Sequence, residues 1–186
     1  MIDPVGIITE FYRPGTRIYD IFMVHAEAVA GRAVATAEKV PHLAPDIPFI
    51  RQAAWLHDIG IYLTHAPGLD CHGGAPYLCH GVLGRRLMEE HGYPDHGLVC
   101  ERHIGVGIDA TEIRRRHLPL PVRDMRPVSI EEQIVCYADK FYSKTRGNQP
   151  RSVADIIKGL AVYGQDKVQI FRQWVDRFEK DVPGTL

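Results

Sequence analysis

Long apolar runs are absent from this chain. No uncharged stretch approaches the ~20 apolar residues that a bilayer-spanning helix requires, so nothing reads as a membrane span. A basic excess is absent as well: 22 Lys and Arg stand against 23 Asp and Glu. That balance gives no reason to expect a nucleic-acid-binding surface, although local clusters of cations can still hold a small phosphorylated molecule. The first residues, Met1-Ile2-Asp3-Pro4-Val5-Gly6, have neither a basic n-region nor a long apolar segment, which argues against a secretory signal. Cysteine is sparse. Cys71, Cys79, Cys100 and Cys136 form no Cys-x-x-Cys pair, and the expectation is reduced thiols in or near the core of a cytoplasmic protein. Persuasive strand patterns, repeats and low-complexity tracts are also missing.

What remains is helical spacing nearly everywhere. The pattern predicts helices over about 4–12, 16–40, 46–58, 78–91, 95–103, 129–144 and 152–182, the last interrupted by Gly164. Ser129 with Glu132 gives a capping box, and Ser152 a further cap. Residues 65–76, with three glycines and two prolines, read as a loop, and 104–128 as mostly irregular. The length suits one ordinary domain with a real core. The fold class expected is all-α: one domain over 1–186, its core at about 16–146, with C-terminal helices over 152–182 packed on it.

Ten histidines stand out, because imidazole is the commonest protein metal ligand. The doublet His57-Asp58, in Ala-Ala-Trp-Leu-His-Asp-Ile-Gly, puts a nitrogen and an oxygen donor side by side, just before Gly60. His25 shares a helix face with Ile18, Ile21, Phe22, Ala28 and Val29. His80 lies beside Leu83, Gly84 and Leu87, and His103 beside Val99 and Cys100. Asp139 sits at the edge of an apolar stripe. A lone inward histidine is ordinarily a hydrogen-bonded core residue. Four of them together with two inward aspartates change that reading. An inward carboxylate is costly without a partner, and no Lys or Arg is regularly spaced to meet either one. Mixed imidazole and carboxylate donors suit transition metals better than calcium.

His25, the His57-Asp58 doublet and Asp139 in Tyr-Ala-Asp-Lys resemble the signature of the HD-domain superfamily of metal-dependent phosphohydrolases. The resemblance runs from about residue 19 to 146. His80 in His-Gly-Val-Leu-Gly and His103 in Glu-Arg-His-Ile-Gly are similar to the two added histidines of its binuclear branch. The nearest likeness is to bacterial hydrolases of symmetrical dinucleoside tetraphosphates, which share an Ala-Asp segment followed closely by arginine, here Arg146. The resemblance implies an HD-type helical bundle and two divalent transition ions. Iron or manganese is favoured; zinc, nickel, cobalt or magnesium is allowed. One ion would be held by His25, His57, Asp58 and Asp139. The other would be held by His80 and His103, with Asp58 bridging. A hydroxide between them would attack phosphorus.

Lys144 and Arg146 are the cations expected at the phosphate, with Lys140, Arg85, Arg86 and Arg102 as further candidates and a solvated surface role as the ordinary alternative for each. His65 and His72 lie where a loop could cover substrate. His42, His91, His96 and His117 fall near turns and are given no role. The cyclic-dinucleotide branch usually has a lysine soon after its doublet. Tyr62 stands there instead, and Gly92-Tyr93-Pro94 is displaced from that branch's motif, so cyclic di-GMP hydrolysis is not expected. The expected substrate is small, phosphorylated and nucleotide-like, with no membrane or nucleic-acid partner; self-association is left open. Two alternatives share the ligands: a mixed-valence di-iron oxygenase, and a non-catalytic metal-stabilised regulatory domain.

Overall fold

The computed structural model describes residues 2–145 and 149–179. Nine α-helices carry the described fold. They are α1 (Pro4–Phe11), α2 (Arg17–Lys39), α3 (Ile47–Leu56), α4 (His80–Glu90), α5 (Pro94–Arg102), α6 (Ala110–Arg116), α7 (Ile130–Asp139), α8 (Val153–Ala161) and α9 (Gln165–Phe178). Short polar side chains start most of them by accepting otherwise unpaired N–H groups. Thr16, Asp46, Ser129 and Ser152 do so for α2, α3, α7 and α8. The predicted capping box at α7 closes one residue early. Ser129 Oγ accepts from Glu132 N at 3.2 Å, but the Glu132 carboxylate accepts from Val128 N at 2.6 Å.

The main core is a seam between α2, α3, α5 and α7. Ala30, Ala33, Ala53, Ala54 and Ala138 let these helices approach closely, and Val29, Ile50, Val99, Ile134 and Val135 fill the gaps. Ile156, Leu160, Val168, Phe171, Trp174 and Phe178 from α8 and α9 join the same cluster. The last helix therefore packs on the core; the predicted extension to residue 182 lies outside the described residues.

All-α is close but incomplete. Residues 65–76, expected as a loop, together with Thr64 hold a small sheet of order β2-β1-β3. β1 (Thr64–Ala66) pairs antiparallel with β2 (Cys71–His72) and parallel with β3 (Ala75–Pro76). Strands of two or three residues are too short to show alternation, so periodicity could not find them. The stretch read as irregular contains α6. Its cap was visible: Asp109 Oδ1 accepts from Glu112 N at 2.7 Å. Arg114, Arg115 and Arg116 fall in its last turn, where cations oppose the helix dipole. Helix α7 ends at Asp139, short of the expected Lys144.

By its place in the sequence, Gly60 suits the end of a helix. It serves another purpose. A Cβ there would lie 2.3 Å from His80 O and 2.4 Å from Gly84 N. Only glycine lets α4 lie directly on the turn after the doublet. Gly81 does the same on the other side, where a Cβ would meet Cys100 O at 2.5 Å. α4 is thus pressed between the doublet turn and α5. Tyr12 pins that turn from α1: its hydroxyl donates to Ile59 O at 2.9 Å and accepts from Tyr62 N at 3.1 Å.

Candidate metal centre

Five of the six expected ligands lie at helix ends, and only His25 is mid-helix. His57 and Asp58 follow α3. Asp139 is the last residue of α7. His80 opens α4, and His103 follows α5. Helix ends converge more readily than helix faces, and these meet in one buried volume. His57 and Asp58 are fully buried, and His25, His80 and His103 nearly so.

Two donor sets share Asp58. In the first, His25 Nε2 lies 3.2 Å from Asp58 Oδ2 and 3.1 Å from Asp139 Oδ1, and His57 Nε2 lies 3.1 Å from Asp58 Oδ2. In the second, His80 Nε2 and His103 Nε2 lie 3.3 and 3.4 Å from Asp58 Oδ1. The donor atoms of each set all lie within 4.8 Å of one another. The structure therefore gathers all six residues and gives each oxygen of Asp58 to a different set.

The histidine tautomers follow from their outer partners. Nδ1 of His57, His80 and His103 lies 2.6, 2.6 and 2.7 Å from the carbonyls of Ala54, Tyr77 and Cys100. A carbonyl only accepts, so Nδ1 carries a proton, and it is Nε2 that turns its lone pair inward whenever the ring is neutral. This is the outer bracing that metal-bound histidines use. His80 Nε2 and His103 Nε2 then face each other at 3.1 Å. Nε2 of His25 and His57, and both oxygens of Asp58, have no hydrogen bond of acceptable geometry. Facing lone pairs and unpaired carboxylate oxygens are costly when buried, and a divalent cation in each set removes that cost. The donors present fit a divalent metal ion in each set.

Electrostatics agree. Burial alone lowers the His57 imidazole, but Asp58 and Asp139 outweigh it and lift it to about 9. Positive charge is favoured there. His103 is pushed down to about 4, by burial first and by neighbouring His57 and His80, against the pull of Asp58. Burial raises the Asp58 and Asp139 carboxyls, yet cationic neighbours hold both well below the usual range.

Those neighbours correct one expectation. The aspartates do meet lysines. Lys144 Nζ lies 2.6 Å from Asp58 Oδ2, and Lys140 Nζ lies 2.8 Å from Asp139 Oδ2. The lysine that meets Asp58 is far away in sequence, so helical spacing could not reveal it. The case for metal therefore rests less on uncompensated carboxylates than on the imidazole lone pairs.

Three other cations leave the site. Arg85 pairs with Glu101 at 2.6 Å and Glu89 at 2.7 Å, Arg86 with Glu90 at 2.9 Å, and Arg102 with Glu132 at 2.8 Å. Each carboxylate lies on the same helix or on one packed against it, and these arginines brace α4, α5 and α7. Arg146 lies outside the described residues.

A cleft opens over the first donor set. One lobe, about 440 Å³, is lined by Gly68, Tyr77, Asp139, Lys140, Lys144 and Arg151 among others. A second, about 430 Å³, is lined by Arg17, Asp20, His25, Gly68 and Lys144 among others. Arg17 and Arg151 were missed in the sequence, where nothing distinguishes them from surface cations. The segment after the doublet lines the cleft, through Ala66, Gly68, Leu69 and Tyr77. His65 and His72 do not take part. They pair across β1 and β2, exposed to solvent. The four cysteines are free thiols, three of them buried. Among the described residues, no helix is long and apolar enough to cross a membrane.

Comparison with known proteins follows the same outline. The pattern that defines the HD domain matches residues 22–143, spanning all six ligands. The chain is 34% identical over 137 residues to an uncharacterised protein of Methanocaldococcus jannaschii, a match covering 72% of each. It is 30% identical over 154 residues to the tRNA (cytidine(56)-2'-O)-methyltransferase of Thermoplasma volcanium, covering 82% of this chain and 40% of that protein. The methyltransferase of the same name from Picrophilus torridus is 32% identical over 128 residues, covering 68% of this chain and 33% of its own. No solved structure matches the chain.

Proposed function

The chain belongs to the HD-domain family, and from that premise we propose that it is a metal-dependent phosphohydrolase acting on a nucleotide-like substrate. The observation that carries this reading is the paired donor set: His80 and His103 converge on one oxygen of Asp58 while His25 and His57 converge on the other. A single structural ion needs no such second set. Two divalent transition ions, iron or manganese by preference, would be held there, supplying Lewis acidity and water made acidic enough to act as hydroxide near neutral pH.

The chain's own residues supply the rest. The cleft admits substrate from the side of His25 and Asp139. Lys144 at its floor, and Arg17 and Arg151 on its walls, place positive charge where phosphate oxygens arrive and where charge grows as the leaving oxygen departs. Two lobes of similar volume meeting over Lys144 favour a substrate with a group on either side of its phosphates. Dinucleoside polyphosphates, the substrates of the bacterial tetraphosphate hydrolases that the motifs resemble, have that form.

The methyltransferase activity named in two relatives is not carried over, because the greater part of each of those proteins lies outside the match. The tRNA in their names makes an RNA phosphate the second class to screen.

The test is a turnover screen of manganese- and iron-loaded protein, without oxygen, against nucleotides, dinucleoside polyphosphates, general phosphoesters and tRNA. Hydrolysis of a phosphate bond that disappears in Asp58→Ala is expected. Turnover that needs both iron and dioxygen, with none under manganese, would replace this reading with the di-iron oxygenase. Metal binding with no turnover of any kind would leave a regulatory domain.

A further inference from the structure

Two lysines reach the two aspartates in opposite ways. Lys140 takes Asp139 Oδ2, at 2.8 Å, and leaves Oδ1 facing His25 at 3.1 Å. Its ammonium also donates to the His103 carbonyl at 3.3 Å. Lys140 is thus an outer brace, tying the last ligand of the first donor set to the backbone of the second. Lys144 takes Asp58 Oδ2, at 2.6 Å. That oxygen is the one facing His25 and His57, at 3.2 and 3.1 Å. The ammonium of Lys144 therefore stands among the donor atoms of the first set, not behind them.

Three further features bear on what this ammonium can do. Its contact with Asp58 is close but lacks hydrogen-bond alignment, since Asp58 Oδ2 has no bond of acceptable geometry. Lys144 follows the end of α7, in a turn, so its backbone is not held in a helical ladder. The same side chain lines both lobes of the cleft, with Tyr77 beside it. It has somewhere to go, and the cleft is where an anion would come from.

We propose that Lys144 is a displaceable counterion, alternating with the divalent cation at Asp58 Oδ2 and swinging into the cleft to meet an anion when the cation is bound. Two positive charges sharing one carboxylate oxygen repel each other. The arrival of a divalent ion among His25, His57, Asp58 and Asp139 drives the ammonium outward, toward both lobes. Loading of the first donor set then creates the anion site, so metal and anion assist each other's binding. This coupling must be reciprocal. The anion being a substrate phosphate rests on the phosphohydrolase reading; the exchange at Asp58 does not.

The experiment is calorimetric titration of Mn2+ into metal-stripped protein at fixed pH, comparing wild type, Lys144→Gln, Lys144→Arg and Lys140→Gln, each first checked by circular dichroism for a native melt. Lys144→Gln should bind the first Mn2+ about tenfold more tightly than wild type, equivalent to about 1.4 kcal/mol. Lys144→Arg, which keeps the competing charge, should stay close to wild type. Lys140→Gln should bind Mn2+ more weakly, because an outer brace is lost. A Lys144→Gln protein that binds Mn2+ no better than wild type, or worse, overturns the proposal and makes Lys144 a second fixed brace. A second arm titrates inorganic phosphate into the Mn2+-loaded proteins. Lys144→Gln should bind phosphate about tenfold more weakly than wild type. If wild type binds no phosphate, the phosphohydrolase reading fails while the Mn2+ arm still decides the exchange.

Discussion

His80 Nε2 and His103 Nε2 face each other at 3.1 Å, and both imidazoles are committed through Nδ1 to backbone carbonyls. Two lone pairs are aimed at one point beside Asp58 Oδ1. His80→Ala or His103→Ala should therefore lose one ion and keep the other. Elemental analysis should fall from about two ions per chain to about one, and hydrolysis by about two orders of magnitude or more. Two ions retained in both variants, with an unchanged rate, would end the binuclear reading.

Asp58 serves both sets, so its loss should not be confined to one of them. Asp58→Asn keeps the shape and removes the charge. Both ions should bind poorly. The metal-free protein should also lose stability, by about 3–5 kcal/mol, because the fully buried His57 imidazolium loses its partner. Urea unfolding and metal content measure the two effects separately. A variant with full metal content and full rate would show that the centre has been placed wrongly.

Acid and base should act on the metal-free protein in opposite senses. His57 is raised from 6.5 to about 9 in the folded state, so the stability it contributes is full below pH 6.5 and is lost as pH rises through 9. His103 is lowered from 6.5 to about 4, so protonation there favours unfolding as pH falls from 6.5 toward 4. Each shift corresponds to about 3 kcal/mol at most. Melting temperature of metal-stripped protein should therefore peak near pH 6.5. With Mn2+ bound the alkaline decline should vanish, because the ion replaces the His57 proton. A melting temperature that climbs steadily to pH 9 without metal would contradict the assignment.

Glycines should differ sharply by position. Gly60→Ala puts a methyl against backbone on two sides, at 2.3 and 2.4 Å. It should cost about 3 kcal/mol and, by shifting α4 and His80, weaken the second ion. Gly31→Ala, exposed on α2 with nothing within 4 Å of the added carbon, should stabilise by about 0.5–1 kcal/mol. Denaturation of both variants, with metal content for the first, checks the contrast.

The residue types and their order were legible in the chain itself. Helical periodicity set most of the bundle, and His25, the His57-Asp58 doublet, His80, His103 and Asp139 could be picked out because buried imidazole and carboxylate have few other uses. Short strands and α6 escaped because two-residue strands have no period and one cap is a faint signal. Tertiary structure alone decided which charges meet. It sent Lys144 to Asp58, carried Arg85 and Arg102 away to glutamates, and brought Arg17 and Arg151 to the cleft. Side-chain identity and spacing are local properties, so a linear pattern records them. The partner of a charge depends on where folding leaves both ends, and no spacing rule spans the distance between residues 58 and 144.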